Sequence, residues 1–181
     1  MFGFTSALLR RTTTTAATCA ALAATPAAAG TSTGTIGLTL NVTSACVING
    51  ASVVQSNAGS LGTISFADQP GIFGNVDGEL VGSLGQVQIQ CSPGVTPALT
   101  FGAGANDADG HRFLKATGGT VAYRLFSDSQ RTSEINIGHQ LALGTATSAV
   151  ISVPIYARVS SGGAVLAAGS YSDTVQVTLT W

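Results

Sequence analysis

Few side chains in this 181-residue sequence are of the types that carry out catalysis. The two histidines, His111 and His139, lie far apart in polar stretches, and no serine nucleophile motif accompanies either of them. Nucleophilic catalysis needs a nucleophile, a base and a group that orients the base. The sequence has no such set, and no paired carboxylates or phosphate-binding loop. We therefore expect no catalytic residue, no cofactor and no enzyme activity, and we interpret both histidines as solvated loop residues.

The run "NDADG" at 106–110 is the one stretch whose spacing resembles a calcium-binding loop. Asn106, Asp107 and Asp109 supply oxygen atoms, but the glutamate that closes an EF-hand loop is missing downstream. Asn, Asp and Gly also favour tight turns, in which the side chain bonds its own backbone. We predict a turn here and no metal site. "DGE" at 77–79 and "SDS" at 127–129 are predicted to be turns on the same grounds.

The first 29 residues have the order of an export signal. Arg10 and Arg11 provide a positive start, a small and weakly apolar stretch follows, and "AAA" at 27–29 suits signal-peptidase cleavage. Removing residues 1–29 leaves five basic and eight acidic side chains, a net charge of −3. A chain with this charge is not expected to bind nucleic acid or an anionic membrane. No stretch has the length of a transmembrane helix, so membrane insertion is not expected either.

Two cysteines follow the predicted cleavage site, Cys46 and Cys91. An exported chain enters an oxidising compartment, where an even pair of cysteines indicates a disulfide. Both positions share the register of inward-facing aliphatic residues, which favours pairing. A reactive thiol pair or a metal site is the alternative, but it would need close cysteine spacing and a nearby histidine. Closing this loop should stabilise the fold by about 4 kcal/mol on the chain-entropy model.

Short alternating runs separated by turns rich in Gly, Asn and Ser predict an antiparallel β-sandwich of one domain. The predicted strands are 62–66, 86–91, 98–102, 120–126, 150–159 and 173–181. Pro154 lies inside one of these runs and suggests an edge strand or a bulge.

Both ends of the predicted mature chain are strand-like. "TIGLTLNVTSAC" at 35–46 places Ile36, Leu38, Leu40 and Val42 on one face. At the other end, Val175, Val177, Leu179 and Trp181 share one face of a strand that runs to the final residue. We interpret Trp181 as a core residue rather than a ligand-binding one. A strand at the last residue, with no partner after it, indicates an open sheet edge.

The sequence resembles the subunits of archaic chaperone–usher pili, the Csu-type pilins of the spore coat protein U domain family. The resemblance spans nearly all of the mature chain. It rests on "GTIGLTLNVTSAC", "GTISF", "VQIQC", "VPIYARV", the skeleton "AY.L..D..RT" within 122–132, and the closing "GSYSDTVQVTLTW".

This resemblance implies an all-β fold, an incomplete immunoglobulin-like antiparallel sandwich completed by donor-strand complementation. It implies a signal peptide at 1–29, an N-terminal donor strand at 30–43 and a pilin domain at 44–181. Ile36, Leu38, Leu40 and Val42 would then enter a neighbour's core, while the strand ending at Trp181 would line the acceptor groove. A periplasmic chaperone would occupy this groove first, and its basic residues would hold the terminal carboxylate. The outer-membrane usher would then exchange the chaperone strand for the tail of a neighbouring subunit.

The implied function is that of a structural pilus subunit, exported to the periplasm and polymerised at the cell surface, where it supports adhesion and biofilm formation. One alternative is a secreted β-sandwich that folds residues 31–43 into its own groove and binds carbohydrate or another ligand. A second alternative is a surface or spore coat protein that assembles without an usher.

Overall fold

The structure, a computed structural model, describes residues 29–82 and 84–181. The predicted signal peptide therefore lies outside the described residues, apart from Ala29. The chain divides into a segment that ends at Leu40 and a body, Asn41–Trp181, and each is described by itself. Residues 29–45 carry no regular secondary structure, so the strand predicted at the N-terminal end is absent from the isolated chain.

The body is all-β, with eleven strands and no helix among the described residues. The strands are β1 (Cys46–Ile48), β2 (Thr63–Ile64), β3 (Val76–Val81), β4 (Val87–Cys91), β5 (Ala98–Phe101), β6 (Arg112–Ala116), β7 (Gly119–Phe126), β8 (Gln140–Ala142), β9 (Ile151–Val153), β10 (Tyr156–Val159) and β11 (Val177–Thr180).

Every strand pair is antiparallel, as the alternating pattern predicts. The strand orders are β2-β3-β10-β7-β6, β1-β4-β9 and β11-β5-β8. β3 pairs with β10, where Val76 is opposite Val159, and β4 pairs with β9, where Ile89 is opposite Ile151. Because β9 and β10 are consecutive in the chain, β4 and β3 lie one after the other beside them. The first two groups of strands therefore continue each other, and β11-β5-β8 forms a separate sheet.

The predicted strands are confirmed in outline, with some differences in extent. The run at 150–159 is broken at Pro154 and Ile155, where no ladder is assigned. The edge strand predicted at Pro154 is confirmed for β9, which ends just before this proline and lies at the edge of its group, whereas β10 lies between β3 and β7. The last strand is shorter than predicted and begins at Val177. The sequence patterns gave no indication of β3, β6 and β8.

The predicted turn at "DGE" is wrong, because these residues lie inside β3. Asp77 forms ion pairs with Arg158 and Arg131 on neighbouring elements, which favours an extended strand at this position. Gly78 faces inward, and a Cβ atom there would lie 2.8 Å from Cγ2 of Ile64. Glycine is therefore required for close packing between strands and does not mark a turn.

Buried residues from all three groups of strands form one core. Ile89, Leu99 and Phe101 are among its most completely buried side chains. The predicted disulfide between Cys46 and Cys91 is confirmed, and it joins directly opposed residues of β1 and β4. Both cysteines are buried, which agrees with the inward register predicted for them.

Candidate functional site

The last strand, β11, leaves one edge of its sheet unpaired in the described part of the chain. β11 pairs with β5 alone, with Val177 opposite Phe101 and Leu179 opposite Leu99. Its side chains alternate between half-buried and exposed. The half-buried set points towards the core, yet nothing covers it completely. β11 thus presents both free backbone groups and apolar side chains, which are the two features that strand addition uses.

Facing β11 across a groove is the segment 55–66, which ends in β2 and the residues after it. Leu61, Ile64 and Phe66 line the groove from this side and pack against the core. β2 forms the edge of its own group of strands, next to β3. Residues 55–62 have no assigned strand. One wall of the groove is therefore regular and the other is mostly irregular.

The groove is open, with a largely apolar floor, polar residues along its walls and a volume of about 1080 Å³. Its floor consists of core residues of both sheets: Cys46, Ile48, Leu80, Val87, Leu99, Phe101, Leu114, Tyr123, Leu125, Ile155 and Ala157. Protein interiors are normally packed as closely as organic crystals, with few voids larger than a water molecule. The core residues on the floor of this groove are therefore less closely covered than an ordinary protein interior.

One end of the groove carries a hydrogen-bond network around Asp173. The Tyr123 hydroxyl donates to Oδ2 of Asp173 at 2.6 Å, and the amides of Ala105 and Asn106 donate to Oδ1. Burial, and then the bond to the Asp173 carboxylate, raise the pKa of Tyr123. Tyr123 therefore remains a neutral donor, and the network fixes the start of the terminal segment to β7.

A buried arginine supports the loops at this same end of the sheets. Arg112 donates to the carbonyl oxygens of Gly102 at 2.8 and 3.0 Å, of Ile135 at 2.6 Å and of Asn136 at 3.3 Å. Burial is the main cause that lowers its pKa from the ordinary arginine value. Sequence patterns did not suggest a role for Arg112, because a charged residue that begins a strand normally indicates an exposed position.

Val175, Val177, Leu179 and Trp181 all line one wall of the groove. The expectation that Trp181 is a core residue is wrong for this chain, because its side chain is 47% exposed at the edge of the open groove. Sequence reasoning missed the facing wall at 55–66. The alternation of Ile64 and Phe66 indicated a buried face there, but gave no sign that this face is left open.

The four aliphatic residues of the tail are not buried. Ile36, Leu38, Leu40 and Val42 are 83–87% exposed, and no regular secondary structure is assigned to them.

The other candidate positions lie outside the groove. His111 and His139 are both exposed, as predicted. Asp109 and Gly110 have positive φ and close a turn between Ala108 and His111, so the predicted turn at "NDADG" is confirmed. The turn at "SDS" is also confirmed. The described residues include no cluster of His, Cys, Asp and Glu that could hold a metal ion, and no helix that could cross a membrane.

Residues 32–178 match the sequence profile of the Spore Coat Protein U domain, which covers most of the chain. The chain belongs to this family. No curated protein sequence was found to be similar to this spore coat protein U domain chain.

Among solved structures, the chain is similar to several chains from pilus assembly systems. One belongs to the CsuC–CsuE chaperone–tip subunit pre-assembly complex of the archaic Csu pili of Acinetobacter baumannii. The two chains are 18% identical, with a TM-score of 0.47, over 77% of this chain and 40% of that one. The P pilus rod subunit PapA is 23% identical, with a TM-score of 0.39, over 75% of this chain and 97% of that one. This chain thus spans less than half the length of the Csu chain.

Proposed function

We propose that this spore coat protein U domain chain is a structural subunit of a surface pilus that is assembled by the chaperone–usher pathway. The observation that carries the proposal is the apolar groove beside β11. This groove leaves part of the core open beside the unpaired edge of β11. One additional strand beside β11 would pair with its free edge and cover the core.

The N-terminal tail has the pattern that such a strand needs. Its four aliphatic residues stand at every second position from Ile36 to Val42, as do the inward residues of the groove wall from Val175 to Trp181. Burying four such side chains contributes about 6–12 kcal/mol, at roughly 1.5–3 kcal/mol each. Backbone pairing with β11 adds to this gain, and the alternating side chains provide specificity.

We assign the tail to the groove of a neighbouring subunit, which makes the assembly head-to-tail. A head-to-tail interface that does not close into a ring produces a filament. Before assembly, a periplasmic chaperone fills the groove. The outer-membrane usher then exchanges this strand for the next tail. Residues 1–29 direct export, and the fibre stands on the cell surface, where it supports adhesion and biofilm formation.

A gel of the exported protein, run without boiling and after boiling, tests this proposal. We expect a ladder of detergent-resistant multimers that collapses to monomer on heating. The ladder should be absent from a variant that lacks residues 30–43. A single monomer band from the full chain, with an unfolded deletion variant, would contradict the proposal. That result would show that the tail completes its own domain, as in a secreted self-complemented sandwich.

A further inference from the structure

An exposed aliphatic patch lies at one end of the domain, away from the groove walls. Ile72 is 55% exposed and Val165 is 78% exposed, although the residues beside them, Phe73 and Leu166, pack against the core. The segments 69–76 and 160–172 contain no charged residue. We refer to Ile72 and Val165 with their two segments as the aliphatic pole.

The two segments of this pole are fastened to each other. The amide of Leu166 donates to the carbonyl of Gly71 at 2.8 Å, and the Ser161 hydroxyl donates to the carbonyl of Phe73 at 2.8 Å. Ile72 lies between the two bonded positions. Its outward side chain therefore stands on a fixed backbone and not on a loose loop. A rigid, uncharged and apolar surface of this kind is suited to contact with another protein surface.

The strand register places this pole at the Asp173 end of the groove. Val76 begins β3 opposite Val159 at the end of β10, and Val159 is opposite Tyr123. Tyr123 bonds Asp173. Val76 is the last residue of segment 69–76, and Val159 directly precedes segment 160–172. Both segments of the pole therefore lie at this end.

The disulfide lies at the opposite end of the sheets. The strands β3 and β4 run from Val76 to Cys91, and Cys91 is joined to Cys46. The amide of Ser92 donates to the carbonyl of Ala45, two residues after the tail. Val150 is 49% exposed and precedes β9, close to this end. We refer to Ala45, the 91–94 turn and Val150 as the disulfide pole.

The chain between the tail and the body is short. Four residue steps separate Val42 from Cys46. At about 3.3–3.6 Å per step, these positions are no more than about 14 Å apart. If Val42 fills a neighbour's groove, the disulfide pole of the donating subunit must therefore lie against one end of the accepting subunit. Strand donation by this chain requires a second contact, between the two domain bodies.

Polymer geometry selects which end of the acceptor is involved. The acceptor's own tail leaves from its disulfide pole and must reach the next subunit. If donors also docked at that pole, one end would carry both neighbours and the other would carry none. A repeating head-to-tail contact uses two different surfaces of each subunit. Only the aliphatic pole remains for the incoming donor.

We infer that the aliphatic pole of each subunit packs against the disulfide pole of its donor, a second copy of this chain. The inference rests on the proposed strand donation. Ile72 and Val165 are then covered in the fibre, and Val150 approaches them from the donor. This contact fixes the angle between successive subunits.

Cross-linking with paired cysteines tests this contact in the assembled protein. The variant V150C/V165C would be recovered as exported multimers, treated with a short bismaleimide, and boiled before electrophoresis. We expect covalent multimers that survive boiling. The matched control V150C/V81C places its second cysteine on β3, between the poles, at a position that is 64% exposed, and should give monomer after boiling.

The gel without boiling separates the two possible failures. A ladder before boiling, followed by monomer alone from the cross-linked V150C/V165C sample, would overturn the pole-to-pole contact and leave strand donation standing. Equal maleimide labelling of V165C in multimers and in chaperone-bound monomer would also overturn the contact. The absence of a ladder from the unmodified chain would contradict strand donation, and the inferred contact would fall with it.

Discussion

The hydroxyl of Tyr123 lies 2.6 Å from Oδ2 of Asp173, a residue 50 positions later in the chain. This bond ties β7 to the segment that leads into β11, and so fixes the position of one groove wall. Asp173 also accepts two backbone amides and the Asn106 side chain. A single carboxylate therefore holds together three elements at the end of the groove.

Replacing Tyr123 with Phe removes one donor from this network and preserves the ring that lines the groove. A hydrogen bond to a charged group contributes about 1.5–3 kcal/mol, and we expect the free energy of unfolding to fall by about that amount. Urea unfolding of the mature chain measures this change. The variant Y171F is a suitable control, because the Tyr171 hydroxyl bonds an exposed carbonyl of Ala167 and should matter less. Equal losses in both variants would argue against a special role for Asp173.

Replacing Gly78 with Ala should disturb the groove wall. The added Cβ would lie 2.8 Å from Ile64 and 3.2 Å from Phe66. Overpacking of this kind costs about 1–3 kcal/mol. At Gly74 the same change meets no atom within 4 Å, so G74A should be close to neutral. Thermal unfolding of both variants provides the comparison, and a neutral G78A would show that the wall yields without cost.

Removing the disulfide should lower stability without affecting any ligand chemistry. We expect the double variant C46S/C91S to lose about 4 kcal/mol, the value for a loop of this length on the chain-entropy model. Unfolding of the unmodified chain, with and without reductant, should show the same loss. The double variant itself should not respond to reductant. Unchanged unfolding of the reduced chain would mean that the bond contributes nothing.

Charged residues in the tail should block polymerisation while leaving chaperone binding intact. The variant L38D/L40D places two carboxylates where apolar pockets are proposed, and burying an unpaired charge is strongly unfavourable. The control T39D introduces its charge on the opposite face of the same segment. We expect T39D to give a multimer ladder and L38D/L40D to give none, with equal recovery of both in complex with the chaperone. Ladders from both variants would show that the tail is not the donor.

The ion pairs of Asp77 should produce a specific pH dependence. The hydrogen bond from Arg158, and to a smaller extent the charge of Arg131, lower the pKa of Asp77 below its ordinary value of 3.8. The carboxylate therefore stabilises the fold above that value, and this contribution is lost as the pH falls through the lowered pKa. We expect D77N to be less stable than the unmodified chain near pH 6, and we expect this difference to shrink as the pH falls below 3.8. The variant E79Q, whose substitution lies on the same face of β3, should show a smaller loss of stability. A stability difference between D77N and the unmodified chain that does not change with pH would contradict this role of the Asp77 ion pairs.

The sequence predicted strands such as β4 and β7, in which apolar side chains at alternate positions point into the core. It failed for β3, because Gly78 occupies an inward position and two acidic residues flank it. It failed for β6 because the inward residue at its start is Arg112, whose charge is satisfied by distant carbonyl groups. These elements depend on contacts between residues far apart in the chain, which local periodicity does not record.

The groove was only half predictable for the same reason. The regular wall contains apolar residues at every second position from Val175 to Trp181, and this alternation is visible in the sequence. The facing wall at 55–62 is irregular and has no period. The bond between Tyr123 and Asp173 joins two motifs that the resemblance had marked separately, and only the fold shows that they meet.

Arg112 has a consequence for the environments that a fibre of such subunits could tolerate. Its guanidinium bonds only neutral carbonyl oxygens, and an arginine side chain stays protonated in proteins. Neither side of this contact can gain or lose a proton as the surroundings become acidic or alkaline. The joint between these loops should therefore keep its strength in acid that weakens the Asp77 pairs.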